Sequence, residues 1–229
     1  MICRSFPVCS TQMERKKAGM KCVIFAGLPA APELHSWWAD ADYVIAADAG
    51  YENACRVGVE PDLLLGDYDS APRPEAGAKT VFLPAEKDDT DTRLGMELAL
   101  KLGSDKIFLL GATGGRLDHY MGNLQSLLIT ARKEKEGWIL DEQNAITVRK
   151  AGKICIHKEE QFGKYVSFFS MGDEVTGLSL TGFQYPLDGY TLKNSDGIAV
   201  SNQLSDDCGI IEFETGYLMM VLSKDRTKC

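Results

Sequence analysis

Between Met20 and Lys150, short apolar runs alternate with stretches of helical periodicity. Cys22–Ala26, Tyr43–Ala47, Leu63–Leu65, Val81–Leu83 and Ile107–Leu110 are unbroken apolar segments, as in strands buried on both faces. Thr90–Leu102 places Leu94, Leu98 and Leu102 every four residues, which predicts a helix with one apolar stripe. A second helix is expected from Leu117 to about Thr130, with Leu117, Met121, Leu124, Leu127 and Leu128 on a shared face. Buried strands alternating with helices predict a mostly parallel sheet covered on both sides.

The texture changes after Lys150. Tyr165–Phe169, Val175–Leu180, Gly209–Phe213 and Tyr217–Leu222 are strand-like runs separated by Gly, Asp and Asn. Glu214-Thr215-Gly216 reads as a hairpin turn with glycine at positive φ. The expected fold is therefore an α/β domain over residues 20–150, followed by a small all-β sandwich over 151–229. Residues 1–19 carry Arg4, Arg15, Lys16 and Lys17 without a signal-type apolar run. They are expected to be a leader or an expression remnant, with the domain starting at Met20.

Charge and cysteine usage narrow the function classes. The 229 residues carry 25 Lys and Arg against 33 Asp and Glu, a net charge of −8. Nucleic-acid and anionic-membrane partners call for a basic footprint, so neither is expected. A polyphosphate ligand would need a divalent cation to offset its charge. No apolar run reaches the ~20 residues of a membrane span, and a cytoplasmic protein is expected. The seven cysteines lack CxxC spacing and predict neither a zinc ribbon nor a disulfide framework. His35, His119 and His157 show no HExxH pattern, and no GxSxG elbow is present. His119 reads as a structural or supporting residue, and Trp37-Trp38 as core packing.

Four clusters follow the first-half strands, where open α/β sheets bind ligands. Ala46-Ala47-Asp48-Ala49-Gly50 offers Asp48 either as a helix N-cap or as a ligand. Gly66-Asp67-Tyr68-Asp69-Ser70 holds two carboxylates two positions apart, suited to a hard cation or to an Asx turn. In Lys87-Asp88-Asp89-Thr90-Asp91 the macrodipole explains one or two acidic residues before a helix. Three repel one another, which favours a bound cation or basic ligand. Gly111-Ala112-Thr113-Gly114-Gly115-Arg116-Leu117-Asp118-His119 combines backbone N–H groups for phosphate with the donor fork of Arg116. It is neither GxGxxG nor a P-loop.

Taken in order, these clusters resemble the thiamine pyrophosphokinase family, as do Gly182-Phe183-Gln184-Tyr185-Pro186-Leu187 and Ser201-Asn202 farther on. The resemblance implies an α/β catalytic domain, a β-sandwich that binds thiamine, and a homodimer with active sites shared between subunits. It implies transfer of a pyrophosphoryl group from ATP to the thiamine hydroxyl, leaving AMP. Asp67, Asp69 and Asp91 are assigned to Mg²⁺, and one of these carboxylates to the general base. Thr90, Gly111, Thr113, Gly114, Gly115 and Arg116 are assigned to the nucleotide, and Asp118 to Arg116 or the transferring group. Tyr185, Ser201, Asn202 and Asp48 are assigned to thiamine; many relatives carry Trp where this chain has Tyr185. The alternatives are another Mg²⁺-dependent pyrophosphokinase or nucleotide hydrolase, and a non-catalytic thiamine or nucleotide sensor.

Overall fold

The structure, a computed structural model, describes residues 19–66, 79–82 and 90–226. Lys21–Phe25 (β1), Tyr43–Ala47 (β2), Leu63–Gly66 (β3), Lys79–Phe82 (β4), Lys106–Leu110 (β5) and Glu136–Leu140 (β6) form the first half of the sheet. They lie side by side in the order β6-β5-β1-β2-β3-β4, and every pair among them is parallel. The helices are Gly50–Arg56 (α1), Asp91–Lys101 (α2) and Leu117–Arg132 (α3), with a 3₁₀ turn at Pro32–Trp37.

Strand side chains alternate between two cores, as the period of two requires. Cys22, Ile24, Ile45, Leu63, Leu65, Ile107 and Leu109 pack with Met96 and Ala99 of α2 and Leu124 and Leu127 of α3. Val23, Phe25, Val44, Phe108 and Leu110 face the other way, towards Leu34, Trp38 and Ala54 of the 3₁₀ turn and α1. Trp37 stacks near Phe108 with ring centres 5.3 Å apart, and Trp38 meets Phe25 at 6.0 Å. The tryptophan pair is thus packing, as its sequence context suggests.

The sheet as a whole is sheet-rich α/β, but it is not mostly parallel. Asn144–His157 (β7) pairs antiparallel with β6, and every later ladder is antiparallel. Tyr165–Ser170 (β8), Glu174–Thr181 (β9), Leu187–Lys193 (β10) and Cys208–Ser223 (β11) complete it. β7 and β11 run along each other, with β9 beside the first part of β11 and β8 beside the last. Both halves share one core, since the cluster holding Phe25 also holds Phe168, Leu180 and Met220.

Three local expectations are corrected. Gly209–Phe213 and Tyr217–Leu222 are not a hairpin but one strand, β11. Between Phe213 and Tyr217 it advances four residues while β7 advances two, from Gly152 to Lys150. This bulge switches the buried set from Ile211 and Phe213 to Leu218, Met220 and Leu222. In α2 the buried positions are Gly95, Met96 and Ala99, with Leu94 and Leu98 flanking them and Leu102 exposed. In α3 Leu124 and Leu127 are buried, whereas Leu117 and Met121 are 77% and 53% exposed.

Candidate functional site

Parallel pairing puts the carboxyl ends of β1, β2, β3 and β5 on one edge of the sheet. The loops leaving that edge are laced together by backbone. Ala26 N donates to Leu110 O at 2.8 Å, Leu28 N to Gly111 O at 3.0 Å, and Asp48 N to Leu65 O at 2.7 Å. Two buried asparagines, not singled out from sequence, fix the same loops. Asn53 Nδ2 donates to Ala26 O at 2.6 Å, and Asn123 Nδ2 to Ala112 O at 2.8 Å. Their signal in the sequence is weak: a lone Asn on the buried face of each helix.

Asp48 stands at the end of β2 with φ 52°, an unusual conformation for a residue with a side chain. The N-cap of α1 falls one residue later, on Ala49, so the capping alternative for Asp48 does not hold. A Cβ on Gly66 would lie 3.3 Å from Asp48 Cα, so the chain leaves β3 in contact with Asp48. The residues that follow, including Asp67 and Asp69, lie outside the described residues. α2 packs over the same region, Gly95 facing Leu65 of β3. Its N-cap is Thr90, whose Oγ1 accepts from Arg93 N at 3.3 Å, and Asp91 occupies its first turn.

The glycine-rich loop begins where Gly111, at φ 69°, passes so close to Leu28 that a Cβ would sit 2.0 Å from its carbonyl oxygen. Only glycine fits there. Gly114 and Gly115 also have positive φ and are exposed; Thr113 is half-buried. Arg116 and Asp118 then form a two-pronged ion pair. Nε donates to Oδ1 at 3.1 Å and Nη2 to Oδ2 at 2.5 Å. Asp118 Oδ1 also accepts from His119 N at 2.8 Å. The Arg116 guanidinium and that N–H pull the Asp118 carboxyl down to about 2, and the pair pushes Arg116 upward. His119 itself is exposed.

A second region lies among the later strands. Gln184, Tyr185, Pro186, Leu187, Ile198, Ala199 and Asn202 line a cavity of about 330 Å³. Tyr185 is 57% exposed at its rim, whereas Asn202 is 2% exposed. Asn202 holds the Tyr185 backbone from both sides: Oδ1 accepts from Tyr185 N at 3.0 Å and Nδ2 donates to Tyr185 O at 2.7 Å. Oδ1 also takes Gln203 N at 2.9 Å. Asn202 therefore positions the aromatic ring, with one amide hydrogen left for other contacts. Ser201 has φ 59° and an exposed side chain, and its N donates to Ser167 Oγ at 2.9 Å.

A glycine-rich loop at the carboxyl edge of a parallel α/β sheet, where such sheets place their ligand sites, together with a separate aromatic-rimmed cavity, defines the class as an α/β ligand-binding protein. Residues 34–139 match the thiamin pyrophosphokinase catalytic domain, and residues 152–218 the thiamin pyrophosphokinase vitamin B1 binding domain. The chain is 33% identical to the thiamine pyrophosphokinase of Bacillus subtilis over 85% of its own length and 93% of that protein. The crystal structure of thiamine pyrophosphokinase from Bacillus subtilis superposes with a TM-score of 0.82 at 33% identity, covering 90% of this chain and 99% of that one. That of thiamin pyrophosphokinase from Geobacillus thermodenitrificans gives 0.80 at 31% identity, covering 91% and 99%. The chain belongs to the thiamine pyrophosphokinase family.

Proposed function

We propose that this chain transfers the pyrophosphoryl group of ATP to the hydroxyl of thiamine, giving thiamine diphosphate and AMP. The observation that carries this reading is the Gly111–Gly115 loop with its Arg116–Asp118 fork, set at the carboxyl edge of a parallel sheet in a member of this family. Pyrophosphoryl transfer asks the protein mainly for positioning and charge neutralisation. Gly111, Thr113, Gly114, Gly115 and Thr90 line the way for the nucleotide, and Arg116 offers its remaining N–H donors to phosphate oxygens. Asp118 holds the exposed guanidinium in one orientation.

Asp67, Asp69 and Asp91 are the residues that would hold Mg²⁺. An all-carboxylate donor set is the hard-oxygen environment this ion takes, together with phosphate and water. The contact of Asp48 with Gly66 and the packing of α2 over β3 support a convergence of these segments. When bound, the ion supplies positive charge along the phosphates that a chain of net charge −8 does not. One of these carboxylates receives the proton of the thiamine hydroxyl.

Thiamine is read as occupying the cavity beside Tyr185, in the all-β part over 151–229, where the aromatic face suits a cationic thiazolium. Asp48 is assigned to the same substrate. Exposed apolar groups flank both regions: Leu28, Leu117 and Met121 by the glycine-rich loop, Tyr185, Ile198 and Val200 by the cavity. A homodimer that brings one set against the other would cover both and complete each site from two subunits.

The test is AMP release from ATP and Mg²⁺, with and without thiamine, with mass detection of thiamine diphosphate. Equal amounts of AMP and thiamine diphosphate, abolished by EDTA, are expected. ADP in place of AMP would place attack at the γ-phosphorus and overturn the reaction. Saturable thiamine binding without turnover would make the chain a sensor.

A further inference from the structure

At the end of the β7–β11 ribbon, where Cys208 passes against Gly182, three soft or borderline ligands meet. Cys155 and His157 are two residues apart on β7 and so share a face. His157 lies directly opposite Cys208 in the antiparallel register, which places Cys208 diagonally across from Cys155. The two cysteines, 53 residues apart in sequence with Cα atoms 6.5 Å apart, are joined as a disulfide. His157 Nε2 lies 3.8 Å from Cys155 Sγ, and the three ligand atoms are all within 4.8 Å of one another. Cys155 and His157 are exposed and Cys208 half-buried, so both a reductant and an ion can reach them.

We propose that this disulfide is the closed form of a three-ligand Cys₂His site, which on reduction takes a thiophilic divalent cation such as Zn²⁺. Metal–sulfur and metal–nitrogen bonds of about 2.3 and 2.0 Å put tetrahedral ligand atoms roughly 3.5–4 Å apart. The Cys155–His157 separation already satisfies this, and rotation of the exposed Cys155 side chain away from Cys208 supplies the rest. A dithiol reductant opens the site by exchange: its two thiols become a disulfide, the Cys155–Cys208 bond breaks, and two protein thiols result. The cation then displaces both thiol protons and bonds to two thiolates and the neutral imidazole. The ladder between β7 and β11 holds the three positions in place in either state, and the fourth position faces solvent.

The full chain, reduced with a phosphine and freed of metal, is titrated with Co²⁺ under anaerobic conditions. Ligand-field bands of tetrahedral thiolate-bound cobalt should saturate at one equivalent and vanish on adding one equivalent of Zn²⁺. The C155S/C208S double variant, shown to be folded by circular dichroism, should lack them. His157→Ala should weaken binding by about 100-fold or more, since losing even a hydrogen-bonding partner of a ligand costs 10–100-fold. No cobalt bands in the reduced wild-type protein, with its thiols counted as free, would overturn the proposal. So would an unchanged spectrum in the double variant, which would place the ligands among the other five cysteines.

Discussion

Arg116 and Asp118, two residues apart at the start of α3, face each other through paired guanidinium and carboxylate edges, with Nη2 to Oδ2 at 2.5 Å. Both side chains are exposed, so the pair orders the surface beside the glycine-rich loop more than it stabilises the fold. Arg116→Lys keeps the charge but loses the fork. It is expected to lower kcat/KM for ATP by roughly 10–100-fold, the value of a charge-assisted hydrogen bond, without moving the thermal midpoint. Asp118→Asn should act mainly on KM for ATP. Wild-type kinetics in both variants would remove the pair from the nucleotide site.

The same pair has a pH signature. Because Arg116 and His119 N hold the Asp118 carboxyl at about 2, the folded state binds its proton less readily than the unfolded chain. The pair's contribution is fully present above about pH 4 and fades as pH falls through about 2. A side-chain NMR titration should show this low midpoint in the wild type and a return towards the ordinary aspartate value in Arg116→Ala. An ordinary midpoint in the wild type would mean the fork is not held in solution.

Asn202 and Tyr185 separate positioning from contact. Asn202→Ala removes a buried side chain that partners the part-buried N–H and C=O of Tyr185, and should cost about 1–3 kcal/mol in urea unfolding while raising KM for thiamine. Tyr185→Ala should raise KM for thiamine by a few-fold to tenfold or more, in line with about 0.5–2 kcal/mol for a cation over an aromatic face. Tyr185→Trp should preserve or lower it. An unchanged thiamine KM in Tyr185→Ala would move the thiazolium elsewhere.

Gly111 and Gly115 allow a graded test of the loop. A methyl at 111 would strike Leu28 O at 2.0 Å, whereas at 115 it would meet only Leu28 Cδ1 at 3.5 Å. Both positions carry the left-handed backbone penalty of about 1–2 kcal/mol. Gly111→Ala should add the cost of displacing the loop after β1 and lose most turnover; Gly115→Ala should stay near the backbone penalty alone. Equal thermal shifts in the two variants would contradict this.

Burial pushes the Cys22 thiol up to about 12. In the native protein an alkylating reagent should modify the exposed Cys55 and spare Cys22. The sign follows from linkage. Above about pH 9 the unfolded chain loses a proton that the folded one keeps, so stability falls as pH rises from there towards 12. Cys22→Ala should flatten part of that alkaline slope, and rapid native alkylation of Cys22 would refute the burial.

Local signals in the sequence carried the first half well. β2 is Tyr43–Ala47 as its apolar run indicates, and α2 starts at the Thr90 cap. They failed where distant contacts decide. Gly216 reads as a turn residue, yet its φ of 93° serves a bulge, and a Cβ there would lie 2.6 Å from Glu174 O of β9. Close approach of a neighbouring strand, not chain reversal, requires glycine. Leu117 and Met121 fit an apolar stripe by spacing but are exposed at the start of α3, where none of the described residues buries them. The meeting of Cys155, His157 and Cys208 depends on the β7–β11 register, which no sequence spacing encodes. The Asn202–Tyr185 clasp is hidden for the same reason.

The antiparallel seam between β6 and β7, Trp138 to Thr147 through Leu140 to Ala145, stitches the parallel half to the half bearing Tyr185 within a single sheet. Bending one half against the other would tear that ladder and split the core that both share. Substrate capture by hinged jaws, common where two lobes are joined by a linker, is thus closed to this chain. Any tightening around bound substrates then falls to the loops at the sheet edge.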